Sequence, residues 1–209
     1  MDELEHYILH HLDREDELLE RLYRETHLTQ VNPRMAAGHL QGSVLTMFCK
    51  MIRPKRILEV GTFTGYATLC MAGTLPEDGE IHTIEIDDEL EPVIQRYVTQ
   101  SPHQHKIHLH IGNSLNIIPT LAPFFDLVYM DGDKRQLIDD YEAVLPLVAK
   151  GGLIIADNTL WGGKVMWPSP RGDKQTIGVQ QFNDYIANDG RVEKAIIPMR
   201  DGMTLIMKK

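Results

Sequence analysis

Only two cysteines occur in 209 residues, Cys49 and Cys70. Both fall inside apparent helices among apolar neighbours. A disulfide framework is therefore excluded, and reduced packing residues of a cytoplasmic protein are expected. Positive charge is also scarce: 21 Lys and Arg stand against 30 Asp and Glu, for a net charge of −9. No long basic run is present, which disfavours nucleic acid and anionic membranes as partners. No apolar run approaches the length of a membrane span. The N-terminus, Met1-Asp2-Glu3-Leu4-Glu5-His6, has neither the cationic nor the apolar region of a signal peptide. Repeats, low-complexity stretches and linkers are missing too. What remains, 43% hydrophobic and 24% charged, suits a single domain over 1–209 with a sizeable core.

The hydrophobic pattern orders that domain. Leu4, Ile8, Leu12, Leu18, Leu19 and Leu22 recur roughly at helical spacing, so 2–25 reads as one amphipathic helix ending before Asn32-Pro33. A second helix is expected over Met35–Met51. The stretch 1–52 is thus helical and expected to cap the site. From Arg56 onward strands and helices alternate. Strands are expected at 56–60, 80–86, 106–111, 125–130 and 152–156, with helices at 65–74, 88–100, 135–148 and 175–188. The tail, Val192–Pro198 and Met203–Met207, reads as two strands joined at Arg200-Asp201-Gly202, a hairpin signal. The predicted fold is α/β: a Rossmann-like, doubly wound, seven-stranded mixed sheet with helices on both faces and an antiparallel last strand. Segment 159–174 is long and rich in Gly and Pro, as functional loops often are.

Chemistry concentrates at the strand ends, where open α/β sheets bind their ligands. Met130-Asp131-Gly132-Asp133-Lys134 follows one apolar run and Asp157-Asn158 follows another. Asp131, Asp157 and Asn158 offer hard oxygen donors, which suit magnesium, with manganese or calcium as alternatives. Glu59-Val60-Gly61-Thr62-Phe63-Thr64-Gly65-Tyr66 follows the first strand and opens a helix. Its Gly-x3-Gly spacing is not that of dinucleotide binders, and a plain strand-to-helix turn is the competing reading. Glu85 ends the second strand, where a carboxylate accepts both hydroxyls of a ribose. Glu59 repels phosphate yet can organise a loop around a zwitterionic amino acid. Together these point to S-adenosylmethionine.

In these motifs the chain resembles the cation-dependent O-methyltransferases, the group of catechol and caffeoyl-coenzyme A methyltransferases and their small bacterial relatives. Gln41-Gly42, the stretch Leu58 to Tyr66, Glu85-Ile86-Asp87, Met130 to Lys134 and Gly151 to Trp161 carry the likeness, in family order. The resemblance implies Asp131, Asp157 and Asn158 as metal ligands. It places Ala36, Glu59, Gly61, Thr62, Phe63, Ala67, Glu85, Ser114 and Asp133 around the cofactor. Lys134 matches the lysine beside the reacting hydroxyl and, with Asp131, forms the catalytic pair. The N-terminal region is shorter than in the plant enzymes, which weighs against a coenzyme A thioester substrate.

The expected activity is methyl transfer from S-adenosylmethionine to a hydroxyl of a catechol-like molecule by a cytoplasmic homodimer. The resemblance also brings an alternative, methylation of a hydroxylated uridine in transfer RNA, for which Arg53, Lys55, Arg56 and Lys164 form a local basic patch. A cofactor-binding module without catalysis is the third reading, against which Asp131, Lys134, Asp157 and Asn158 stand together. Lys134 is alternatively a solvated helix-start lysine, and Asp157-Asn158 a helix cap or turn. Trp161 is taken as a wall of the substrate slot; for it and Trp167, packing or a subunit contact is an equal reading. His108 and His110 share one face of a strand, and His6 and His10 one face of a helix. Neither pair has a third ligand by sequence, so surface histidines are the better reading.

Overall fold

A computed structural model describes residues 3–209. Seven strands form one sheet: β1 (Arg56–Val60), β2 (Glu80–Glu85), β3 (Ile107–Ile111), β4 (Phe125–Met130), β5 (Val148–Asp157), β6 (Val192–Ile197) and β7 (Met203–Lys208). Their spatial order is β3-β2-β1-β4-β5-β7-β6. The pairs β2–β3, β1–β4 and β4–β5 are parallel, whereas β7 runs antiparallel to both β5 and β6. The mixed seven-stranded sheet expected from the alternation is therefore present. The helices among the described residues are α1 (Glu3–His10), α2 (Glu17–Thr29), α3 (Gly38–Ile52), α4 (Tyr66–Ala72), α5 (Glu91–Val98), α6 (Ser114–Ile117), α7 (Leu137–Val144) and α8 (Lys174–Ala187). None is long and apolar enough to cross a membrane.

By internal packing the chain divides into two compact units. One comprises the described residues up to Lys55 with Thr62–Ile111; the other comprises Arg56–Gly61 with Gly112–Lys209. In the first, Leu22, Leu45, Met71, Ile81 and Ile94 are fully buried, and both cysteines are buried and free. Burial pushes the Cys49 thiol up to about 11, which makes it inert packing material. In the second, Leu127, Val128, Ile154 and Ile155 on β4 and β5 are fully buried beside Val179 and Phe182 of α8. Their continuous apolar runs are what strands covered on both faces require.

Several boundaries differ from expectation, each for a local reason. The single N-terminal helix is two, because Asp16 caps α2 by accepting the Leu18 N–H at 2.8 Å; residue 2 lies outside the described residues. The helix expected over 88–100 opens as a 3-10 turn at Asp88–Leu90, with Pro92 at the start of α5. The helix expected to 148 stops at Val144, followed by a 3-10 turn containing Pro146, and β5 then starts early, at Val148. Helix α6 had no signal beyond its cap, Asn113, which accepts the Leu115 N–H at 2.9 Å. Segment 159–174 holds 3-10 turns over Trp161–Met166, broken by left-handed Gly162 and Gly163.

The close fit of α8 against the loop after β4 gives a direct test. A Cβ on Gly178 would lie 2.3 Å from the backbone oxygen of Lys134. Gly178→Ala is expected to lower stability by about 1–3 kcal/mol, the usual scale for forced overpacking. A thermal or urea midpoint equal to the parent's would show that the two backbones do not meet.

Candidate active site

Met130 of β4 stands opposite Ala156 of β5 in parallel register. The residues that follow, Asp131 and Asp157, are thereby delivered to neighbouring strand ends. Asp157 is buried: its Oδ2 accepts from the Tyr129 hydroxyl at 2.8 Å and its Oδ1 from the Asn158 N–H at 2.8 Å. Lys134 is also buried, and its Nζ donates to Asp131 Oδ1 at 2.9 Å and to the Asp157 backbone oxygen at 3.3 Å. Asn158 has φ 59°, in the left-handed region that Asn tolerates better than most residues. Burial pushes the Asp131 carboxyl up to about 6; the Lys134 ammonium opposes that rise and the Asp157 charge adds to it. The Lys134 ammonium, with a weaker contribution from Arg200, faces two carboxylates at this corner. An oxygen donor set of that kind fits a hard divalent cation.

The approach of β1 to this corner depends on glycine. Gly61 has φ 99°, and a Cβ there would lie 2.5 Å from the Asp131 backbone oxygen. The Asp131 N–H in turn donates to Val60 O at 2.8 Å. Glu59, two residues earlier, is fully buried.

In the other unit the turn residues gather at the end of β2. The Phe63 N–H donates to Glu85 Oε2 at 2.6 Å, and the Asp87 N–H to Oε1 at 2.9 Å. Phe63 adopts φ 51° to make that contact. Thr62 donates its N–H to Ile84 O at 3.2 Å, and its hydroxyl meets that of Thr83 at 2.5 Å. Burial raises the Glu85 carboxyl, while the two N–H groups stabilise its charge and fix its direction. Each oxygen keeps a second lone pair for a ligand hydroxyl. Ala67 and Ala36 are both buried, on α4 and just after the 3-10 turn Pro33–Met35.

The remaining expected residues are engaged elsewhere or open. The Ser114 hydroxyl donates to Asp140 at 2.6 Å and accepts from Gln136 at 2.8 Å. Asp133 is exposed and forked with the Arg135 guanidinium. Trp161 is half-buried at φ 47°, and Trp167 is exposed. Three contributors went unread in the sequence. Tyr129 sits inside an apolar run, where its hydroxyl carries no signal. Asp140 binds Ser114 from a helix. Arg200, read only as a turn residue, places positive charge near Asp131.

A mixed sheet with antiparallel closing strands, a glycine turn after β1 and an acidic end to β2 define an α/β enzyme that binds S-adenosylmethionine. Comparison with known proteins narrows the class. A family model described as O-methyltransferase matches residues 10–209. A caffeoyl-CoA O-methyltransferase of Stellaria longipes is 31% identical over 215 residues, covering 97% of this chain and 89% of that protein. Catechol O-methyltransferase domain-containing protein 1 of Mus musculus is 34% identical over 173 residues, covering 80% of this chain and 66% of that protein. The O-methyltransferase TomG of Streptomyces achromogenes, involved in tomaymycin synthesis and solved in complex with SAM, is 29% identical. Its structure superposes with TM-score 0.91 over the full length of both chains. The chain belongs to the O-methyltransferase family and is an S-adenosylmethionine-dependent O-methyltransferase.

The Lys134 pairing makes a prediction independent of turnover. With chelator present, Lys134→Met is expected to cost about 1–3 kcal/mol, as for a buried charged acceptor left without its donor. Equal denaturation midpoints for parent and variant would mean that Lys134 does not hold the two strand ends together.

Proposed function

We propose that the enzyme methylates a hydroxyl of a catechol-like small molecule with the help of a magnesium ion held by Asp131, Asp157 and Asn158. The observation that carries this reading is the pair of carboxylates at the β4 and β5 ends with the Lys134 ammonium 2.9 Å from Asp131. The caffeoyl and catechol groups for which the relatives are named share a benzene ring with adjacent hydroxyls, which suits the open positions that three protein oxygen donors would leave on an octahedral ion. Glu59, Gly61, Thr62, Phe63, Ala67 and Glu85 are assigned to the cofactor, with Ala36, Ser114 and Asp133 in supporting places. Trp161 is assigned to the substrate. The reading keeps 1–209 as one functional domain with 1–52 capping the site, in a cytoplasmic homodimer.

A phenolic hydroxyl has a pKa of about 10 and is a weak nucleophile at neutral pH. The bound cation supplies Lewis acidity that lowers that value. Lys134, once in its neutral amine form, would accept the hydroxyl proton at Nζ; Tyr129 and the Asn158 N–H fix the Asp157 carboxylate meanwhile. S-adenosylmethionine, held by Glu85 and the turn after β1, would supply the methyl group from its sulfonium to that oxygen. Glu85 orients the ribose, so that the two reactants are held in line. Transfer RNA is a weaker reading, because two of the four patch residues are already engaged. Lys55 pairs with Asp78 at 2.5 Å, and the Arg56 guanidinium is bound to Ala122 and Pro123 oxygens over the Phe125 ring.

Turnover is expected to vanish in excess chelator and to return with magnesium or manganese; full activity without metal would sink the cation. Glu85→Ala is expected to weaken S-adenosylmethionine binding by about 1.5–3 kcal/mol, the scale of a lost charged hydrogen bond. Calorimetry reads this, and unchanged affinity would remove Glu85 from the ribose. Lys134→Ala is expected to lower turnover by roughly 10²–10⁴-fold, with partial rescue by substrates bearing more acidic hydroxyls. Arginine is not expected to replace it, because a guanidinium keeps its proton in this pH range. Rates against substrate pKa in the parent and both variants decide between base and mere orienting group: a flat profile with active arginine defeats the base.

A further inference from the structure

The β2–β3 pair carries a second, chemically different donor cluster. Parallel register sets His82 opposite His108 and Ile84 opposite His110. Alternation then places Glu80, His82, His108 and His110 on one face. Glu80 Oε1 lies 3.5 Å from His82 Nε2, and Glu80 Oε2 lies 3.5 Å from His108 Nε2. One ligand atom from each of the three falls within 4.8 Å of the others. The His82 ring lies between its neighbours, its centroid 4.8 Å from that of His108 and 5.2 Å from that of His110.

We propose that Glu80, His82 and His108 form a binding site for a borderline transition-metal ion, zinc being the chemical type, that clips β3 to β2. On a tetrahedral zinc ion with bonds of about 2.0–2.2 Å, adjacent ligand atoms stand roughly 3.4 Å apart. Each carboxylate–imidazole separation matches this through a different Glu80 oxygen, and the three donors, within 4.8 Å of one another, would draw together on the ion. His110 completes the site from behind: its Nε2 lies 3.0 Å from His82 Nδ1. With the proton on His82 Nδ1, that ring donates to His110 and turns Nε2 toward the ion, the usual support of a metal-bound histidine. His108 is the exposed member, which leaves an entry path and a fourth position for water. Because β3 ends the sheet order, the clip would fasten an edge strand. Imidazole donors separate this site from the oxygen set of Asp131, Asp157 and Asn158, which magnesium suits.

The test is a zinc titration of the tag-free full chain in saturating magnesium, read by calorimetry and by melting temperature. The parent and the Asp131→Ala/Asp157→Ala double variant are both expected to bind about one zinc ion and to melt higher with it. His108→Gln and Glu80→Gln are expected to lose that ion and the zinc-dependent rise while melting like the parent in chelator. His110→Phe is expected to bind zinc about 10–100-fold more weakly, as when an orienting partner is removed. Cobalt in place of zinc is expected to give the intense visible bands of a tetrahedral site in the parent and not in His108→Gln. Retention of zinc by both His108→Gln and Glu80→Gln, or its loss from the Asp131/Asp157 variant alone, would overturn the site.

Discussion

The structure turns on one electrostatic problem: parallel pairing of β4 and β5 forces Asp131 and Asp157 to emerge side by side. Taking two carboxylates partly out of water is costly unless positive charge meets them. Lys134 answers for one, through its ammonium on Asp131 and its bond to the Asp157 backbone oxygen. Tyr129 and the Asn158 N–H hold the other. Two carboxylates so placed are what a cation would bind, which ties the fold of this corner to its chemistry.

The surroundings keep those groups where they are. Gly61 lets the β1 turn lie against the Asp131 backbone, and Gly178 lets α8 lie against that of Lys134; at both positions a methyl group would collide with a carbonyl oxygen. On the far side of Asp157, the chain is stitched to the turn before β7. The Thr159 N–H donates to Gly202 O at 3.1 Å, the Leu160 N–H to Asp201 O at 2.7 Å, and the Thr204 hydroxyl to that of Thr159 at 2.8 Å. Those bonds fix the chain immediately after Asn158, beside its left-handed backbone. The antiparallel hairpin therefore does more than finish the sheet: it secures a candidate ligand.

Much of this was legible because strand ends in an α/β chain announce themselves. Asp131, Asp157 and Glu85 stand out because each sits at or just past the carboxyl end of a largely apolar strand. The glycines after β1 were equally visible. For Ser114 and Asp133 the motif order gives residue type and place, but not that the Ser114 hydroxyl donates to Asp140 or that the Arg135 guanidinium donates to Asp133. Competition for a hydrogen bond is settled by tertiary neighbours, and Asp140 lies 26 residues from Ser114. The N-terminal helix fails for a local reason instead. Its leucine spacing continues through a break, and the capping power of Asp16 outweighs that periodicity.

The histidines carry the same lesson to a different outcome. A pair at alternate positions of one strand has too few donors to hold an ion, and nothing in the segment 106–111 supplies another. Register supplies it. Pairing His82 with His108 brings in a strand more than twenty residues earlier, and Glu80 comes with it on the same face. Two parallel strand pairs thus gather two donor sets by the same geometric rule. On β4 and β5 the residues so placed are the carboxylates Asp131 and Asp157, with Asn158 next in the chain, at the strand ends. On β2 and β3 the gathered atoms are imidazole nitrogens and one carboxylate on the strand face. Ligand softness then assigns different ions to each. Were both proposed sites filled, the imidazole-containing set would favour zinc over magnesium, while the oxygen set would take magnesium where that ion is in excess.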